Sequence, residues 1–418
     1  MPIIESLQYL LIFDIYTVYL MAEGWYASLM ANIAMLVSNR HDPDPRVQKE
    51  AEALAVAGHS VCIYAFDRLH EIPIQNEVIN DVKIERIRIE LIPYGKIYKT
   101  GKGLRKFRSI VKKKLIESPV DIVHCHDQDT CSVGLWWKKR GSGKFVFDAH
   151  DLYWTWLLLP NPNSLIRKVG ALILKRRDKK YAQMADLLIV ATEGINERKG
   201  YREIYHPWRK NSVTVMNAEN KYSDTWNYPE KFTLGFFGNL RDYTMFKILI
   251  DAILLIEEDK RPLLRIAGTG AVSKHIKQLF AKYPEINCNI SGRFDHSELK
   301  SLMDECTIQY CLYTSKRGNI EYTIPAKLFS SIACGKKVIV NSNSLSSELC
   351  NIHNLGWNVN DNDVNEISKL ILKLTEIWNN LSNEEKVSDY PFGTFENTID
   401  WNSQAQKLVE AYNGINMP

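Results

Sequence analysis

Residues 325–340, Pro325-Ala326-Lys327-Leu328-Phe329-Ser330-Ser331-Ile332-Ala333-Cys334-Gly335-Lys336-Lys337-Val338-Ile339-Val340, read as helix, glycine turn and buried strand in immediate succession. Proline suits the first turn of a helix, where its missing N–H costs nothing. Leu328, Phe329 and Ile332 fall at helical spacing, Gly335 is a helix stop, and Val338-Ile339-Val340 is the continuous apolar run of a parallel strand. The start of such a helix offers backbone N–H groups to an anion.

The same grammar runs through the rest of the chain. Ile33–Ser38 reads as a buried first strand, followed by a loop from Asn39 to Pro45 and a helix carrying Val47, Ala51, Leu54 and Ala55. Gly58-His59 ends that helix and Val61–Ala65 is the next strand, so the opening is a βαβ unit of a Rossmann-like parallel sheet. Asp121–His124, Lys144–Phe147 and residues 186–191 give further strands, and the chain crosses over near Val213–Met216. A second α/β series starts at Phe232–Gly238 and proceeds through Leu263–Gly268 and Ile286–Ile290 to the quoted segment. The pattern divides the chain into a first unit over 32–212 and a second over 213–399, with an extension at 1–31 and an amphipathic tail at 400–418. In that tail Ala405, Leu408, Val409 and Tyr412 share one face.

At 418 residues the chain is too long for one ordinary core and suits two. Hydrophobic residues at 45% and charged residues at 24% are those of a folded globular protein, and a net charge of +4 argues against a general nucleic-acid binder. The eight cysteines are scattered, with no C-x-x-C pair or zinc spacing, which fits reduced thiols in a cytoplasm. Residues 7–22 are apolar but contain Asp14 and fall short of the ~20 residues of a spanning helix. Translation from Met30 or Met35 is one reading of that region, and a membrane-surface anchor is the other.

The segment resembles P-x-K-L-F-E-x-x-A-x-G-K-P-V-I, the donor-diphosphate segment of retaining, two-Rossmann-domain glycosyltransferases of the GT4 type, the group 1 glycosyl transferases. The opening Asp44-Pro45-Arg46-Val47-Gln48-Lys49-Glu50-Ala51 through Val61 resembles the same family. The resemblance implies the α/β GT-B architecture, two Rossmann-like parallel-sheet domains facing across a cleft, with the last helix returning to the first domain. It implies transfer of a sugar from a nucleotide-diphosphate donor to an acceptor hydroxyl with retention, without a required cofactor. A carbohydrate or lipid-linked acceptor, polysaccharide or glycolipid synthesis, and a place in the cytoplasm or at the inner face of the cell membrane follow from the same likeness.

Carried over residue by residue, the likeness names site candidates. His126, second histidine of a D-I-V-H-x-H pattern, would face the donor sugar; capping of the following helix is the other reading. His150, Asp151 and Tyr153 match a D-x-H-E/D-x-Y segment on the acceptor side, with Asp44 and Arg46. Asp127-Gln128-Asp129 and Asp42-Pro43-Asp44 have the D-x-D form of a metal motif, but turn or cap duty is their default and no metal is assigned. Gly238-Asn239-Leu240-Arg241 matches a G-R-L segment in which Asn239 and Thr244 replace the family's arginine and lysine. Arg241 and Lys247 would then supply the charge from shifted positions, with Lys327 and the helix start at Pro325 as the other electrostatic partners. Gly268-Thr269-Gly270 would let a ligand approach the backbone, and Arg293 would contact the base. Ser330 stands where the family has glutamate; Tyr322 occupies the place of the second glutamate, with Glu321 beside it. These departures leave open a degenerate subunit that binds a nucleotide or partner without turnover. Finally, Lys102–Leu115 carries an apolar stripe at Leu104, Phe107, Val111 and Leu115 beside basic residues, which suits either a membrane surface or a core-packed helix.

Overall fold

The computed structural model describes residues 30–415 except 43, 94–96, 159–160, 224–225, 316–317, 383–384 and 387–398. The apolar segment at 7–22 and most of the 1–31 extension therefore lie outside the described residues.

The first sheet has eight strands: β1 (Asn32–Val37), β2 (Ser60–Phe66), β3 (Asn76–Ile79), β4 (Val82–Ile87), β5 (Ile122–His126), β6 (Lys144–Ala149), β7 (Leu187–Val190) and β8 (Val213–Thr214). Their order is β3-β4-β2-β1-β5-β6-β7-β8, all parallel except the β3/β4 hairpin. Asn80 and Asp81, both at positive φ, make the hairpin turn. The second sheet contains β9 (Thr233–Phe237), β10 (Leu263–Ala267), β11 (Cys288–Ser291), β12 (Ile308–Tyr310), β13 (Val338–Asn341) and β14 (Gly356–Val359), ordered β11-β10-β9-β12-β13-β14 and wholly parallel. Strand order reverses beside β1 in one sheet and β9 in the other, so both sheets open a crevice beyond their carboxyl ends.

Burial follows the pattern. Every residue of β9 and β13 is buried, as parallel strands covered by helices on both faces must be. The quoted segment folds as helix Ala326–Ala333, turn and strand, with Pro325 one residue earlier than a first-turn proline, at the N-cap. Gly335 has φ +62°, and a β-carbon there would lie 2.6 Å from the Trp226 ring, so the turn demands glycine twice over. The C-terminal helix Trp401–Asn413 packs on helix Pro45–Val56 and on β8. The Tyr412 hydroxyl is 2.6 Å from His124 Nδ1, and Gln404 Oε1 accepts from the Met216 N–H at 3.0 Å.

The helix Ile97–Glu117 settles the two readings of its stripe. Phe107, Val111 and Leu115 are fully buried, while Lys102, Arg105, Lys106 and Lys113 face solvent. Its apolar face is core. Among the described residues no helix is long and apolar enough to cross a membrane.

Candidate active site

A cleft of about 790 Å³ opens between the two sheets, and each wall is built from residues just beyond strand ends. On the second-domain wall, β9 is followed by Gly238 (φ +130°) and β10 by Gly268 (φ +141°). A β-carbon on Gly268 would lie 1.9 Å from the Gly238 carbonyl oxygen, so the two turns touch through bare backbone. Leu240 N–H donates to Thr269 C=O at 2.9 Å and Val272 N–H to Leu240 C=O at 3.2 Å, which fixes the pair.

Over these turns stands Lys327, in the first turn of the helix Ala326–Ala333. Its Nζ lies 4.6 Å from the centroid of Phe236 and 3.4 Å from the Tyr313 hydroxyl. Tyr313 is held in turn: its N–H donates to Asn341 Oδ1 at 2.9 Å, and its carbonyl accepts from Asn341 Nδ2 at 2.6 Å. No side chain caps the helix start at Pro325. Asn239, Arg241, Arg293 and Ser330 line the same wall. Ser330 donates its hydroxyl to the Ala326 carbonyl at 3.2 Å, a bond within its own helix. Arg293 bridges the cleft to Asp42 at 2.8 Å.

The first-domain wall is a buried network centred on Asp148. Its carboxylate takes a bidentate pair from Arg46, Nε at 3.0 Å and Nη2 at 2.7 Å, and faces His126 Nδ1 at 3.0 Å and His150 Nδ1 at 2.9 Å. Arg46 also donates to the Val215 carbonyl and Asn217 and pairs with Glu50 at 3.0 Å, so its guanidinium is engaged inside the protein at every nitrogen. Burial disfavours the Asp148 charge, but Arg46 and His150 outweigh it and hold the carboxyl well below its usual range. Burial likewise opposes charge on His150, yet Asp127 and Asp148 raise its imidazole well above the ordinary value. His126 goes the other way: burial lowers it despite Asp148, so it is neutral near pH 7. With Nδ1–H donated to Asp148, its Nε2 is an acceptor, and that atom has no partner among the described residues.

Asp127, at φ +60°, accepts from the backbone N–H groups of His150 and Asp151 at 3.2 and 2.9 Å and pairs with His150 Nε2 at 2.9 Å. Asp129 accepts from the Tyr153 hydroxyl at 3.2 Å. Both acids of that D-x-D thus hold the loop that carries His150, Asp151 and Tyr153. Asp44 caps helix Pro45–Val56 and accepts from Asn39 at 2.7 Å. Glu50, His124, His126 and Asp148 bring donor atoms within 4.8 Å of one another, the spacing of a metal site. The Arg46 guanidinium already sits on two of them, and a second cation would face it across a dry interior.

The cleft therefore gathers His126, Asp44, Arg46, His150, Asp151 and Tyr153 from one sheet and Gly238, Asn239, Arg241, Arg293, Pro325, Lys327 and Ser330 from the other. Thr244, Lys247, Gly268, Thr269, Glu321 and Tyr322 are not among its lining residues; Gly268 reaches the cleft wall only through its contact with Gly238. Lys247 lies along helix Tyr243–Leu254, 3.8 Å from Asp251, and the Tyr322 carbonyl accepts from Thr192 in the first domain at 2.8 Å. In the loop before Pro325 it is Asn319, Ile320 and Thr323 that face the cleft. Asp148, Glu50, Tyr313 and Asn341 carry site geometry that the motif reading did not single out.

Sequence profiles match both halves of the chain: Glycosyltransferase Family 4 over residues 46–198 and Glycosyl transferases group 1 over residues 219–388. The chain belongs to the GT4-type glycosyltransferases. No curated protein sequence matches it. The glycosyltransferase is similar in fold to sucrose-phosphate synthase from Thermosynechococcus elongatus, with TM-score 0.67, 15% identity, and coverage of 91% of this chain and 98% of that one. It is also similar to Anabaena HepE in complex with UDP-glucose (TM-score 0.64, 14% identity, 91% and 99% covered). The lipopolysaccharide outer core galactosyltransferase WaaB compares at TM-score 0.53 and 11% identity, with 91% and 99% covered. The fold is GT-B, and the protein is a nucleotide-sugar glycosyltransferase.

Proposed function

We propose that this glycosyltransferase acts with retention of anomeric configuration, on a nucleotide-diphosphate sugar bound to the second-domain wall and an acceptor hydroxyl presented by the first. The observation that carries the reading is Lys327 standing over the turn of Gly238, which touches that of Gly268, in a cleft shared with a neutral His126 whose Nε2 is unsatisfied. A diphosphate lying on those turns meets backbone, the Lys327 ammonium, Arg241 and the helix start at Pro325, all positive. The donor sugar then reaches His126, whose Nε2 accepts from a sugar hydroxyl. Asp44, Arg46, His150, Asp151 and Tyr153 shape the acceptor side; Arg46 acts there by holding Asp148 rather than by touching substrate.

In the transfer, the bond from the anomeric carbon to the diphosphate oxygen breaks and one to the acceptor oxygen forms. The departing phosphate takes the acceptor proton, and Lys327 and Arg241 stabilise the charge growing on it. HepE was solved with UDP-glucose, which makes a uridine donor the first to try. The units proposed for these roles are 32–212 with the 400–418 tail, and 213–399. A carbohydrate or lipid-linked hydroxyl is the acceptor, in polysaccharide or glycolipid synthesis.

Thermal denaturation in the presence of UDP-, GDP-, ADP- and dTDP-sugars tests the reading. One donor class is expected to raise the melting temperature, and Lys327→Ala to weaken that donor by about tenfold or more. No shift with any donor removes the reading, and a shift untouched by Lys327→Ala removes the diphosphate assignment. Donor binding without transfer to any acceptor extract would favour the degenerate subunit, for which Ser330, Asn239 and Thr244 are the specific grounds.

A further inference from the structure

The helix Leu165–Met184 runs for 20 residues along the surface of the first domain. Its buried face is thin and made of Ala171, Asp178 and Ala182. At about 100° per residue, Leu165, Ile166, Val169 and Ile173 fall on the opposite side, away from the protein. Leu165 is 76% exposed, Ile166 86% and Val169 58%, with Leu172 and Ile173 also exposed. A folded chain seldom gathers that much aliphatic surface on one element unless something covers it.

The second half of the same helix is cationic. Lys175, Arg176, Arg177, Lys179 and Lys180 are all exposed, and Asp178, the helix's one acidic residue, is turned inward. The neighbouring helix Ile97–Glu117 adds Lys102, Arg105, Lys106 and Lys113 on its solvent face. Aliphatic surface in line with dense positive charge is complementary to one partner above others, an anionic lipid surface. A protein groove would need shape and acidic residues to match both halves.

We propose that the helix Leu165–Met184 docks this protein on an anionic bilayer, its aliphatic N-terminal half in the headgroup region and its basic C-terminal half on lipid phosphates. The placement has a consequence for the cleft. The helix packs on Tyr153–Leu158, where Gly170 lies so close that a β-carbon would come within 2.7 Å of Leu157 Cδ2. Arg167 Nη1 donates to the Leu157 carbonyl at 3.0 Å. On the same short helix Tyr153 and Trp156 line the cleft. Docking therefore sets the acceptor side of the cleft one helix away from the lipid, and the acceptor is a hydroxyl carried by a membrane-embedded lipid. This last step rests on the glycosyltransferase reading; the docking itself does not.

Co-sedimentation of the full chain with vesicles tests both. The protein is expected to pellet with phosphatidylcholine vesicles containing phosphatidylglycerol and to remain in solution with phosphatidylcholine alone, at about 0.15 M salt. Ile166→Ser with Val169→Ser is expected to lower the partition coefficient about tenfold. Arg176→Gln with Lys180→Gln should lower it about as much and flatten its salt dependence. All four positions are exposed, so circular dichroism and donor-induced thermal shift should stay as in the parent. Absence of binding to the anionic vesicles, or binding unchanged in both double variants, overturns the proposal. So does a parent dimer in sedimentation velocity that the Ile166→Ser, Val169→Ser variant dissociates, since the face would then belong to a second copy. An intact donor shift with failed vesicle binding removes the docking alone; a missing donor shift in the parent removes the enzyme reading alone.

Discussion

The two walls of the cleft are held in place by opposite means. The first-domain wall is a knot of buried charge, in which Arg46, His126 and His150 converge on the Asp148 carboxylate and Asp127 ties down the loop that follows. The second-domain wall is made by the absence of side chains: Gly238 and Gly268 meet backbone to backbone, and Lys327 is laid over them against Phe236 and Tyr313. The first arrangement fixes proton positions, and so leaves His126, a residue of the cleft lining, neutral with an unsatisfied acceptor nitrogen. The second leaves room and a positive field for an anion. A wall built by charge should fail through solvation, and one built by closeness should fail through volume.

The largest effect is expected from Asp148→Ala. It removes the hub while leaving Arg46 and His150 buried with one counter-ion fewer, a loss of the kind that costs about 3–5 kcal/mol. Urea or thermal denaturation measures it. A cost under about 1 kcal/mol would mean that the network is solvated and that the comparison between the walls is wrong.

Gly268→Ala comes next. The change adds a single methyl, and an alanine at φ +141° costs about 1–3 kcal/mol before any clash. The ideal β-carbon also falls 1.9 Å from the Gly238 carbonyl oxygen, so the turn under Lys327 must shift. Both stability and the donor-induced thermal shift should fall. A variant that keeps the full donor shift would show that the glycine contact does not shape the anion site.

These two substitutions also mark what the amino-acid order made legible. Gly238 and Gly268 follow strand ends and Pro325 and Lys327 open a helix, each within a short motif, so pattern and resemblance were enough to single them out. Asp148 stood inside a recognised segment, yet its role depends on Arg46, 102 residues away, and no local spacing announces that partner. Strand β12 has three residues with Gln309 at its centre, and β14 begins at Gly356 and carries Asn358, so neither offers the apolar run that betrays a parallel strand. The stripe of Ile97–Glu117 had two readings because periodicity says which face is apolar and not what covers it. The Leu165–Met184 helix shows the same limit: its basic residues are plain in the sequence, but its exposed aliphatic residues resemble a core face until burial is known.

The smallest change probes the charge-built wall without dismantling it. Glu50 is fully buried beside Arg46, and the burial pushes its carboxyl from the ordinary 4.5 up to about 8, with Arg46 only partly offsetting the effect. A folded-state pKa above the unfolded one gives stability that is fully present below pH 4.5 and lost as pH rises through about 8. Glu50→Gln removes that proton linkage while keeping shape and an oxygen for Arg46 to donate to. Near pH 4.5 the variant and parent should be of similar stability. Between pH 5 and pH 8 the parent should lose stability relative to the variant, because only its unfolded state gives up the Glu50 proton. The His150 linkage has the same sign but is present in both proteins, so the difference between the two profiles isolates Glu50. Parallel profiles across that range would place an ionised Glu50 beside Arg46 at neutral pH, and the Arg46 guanidinium would then be held by two ion pairs rather than one.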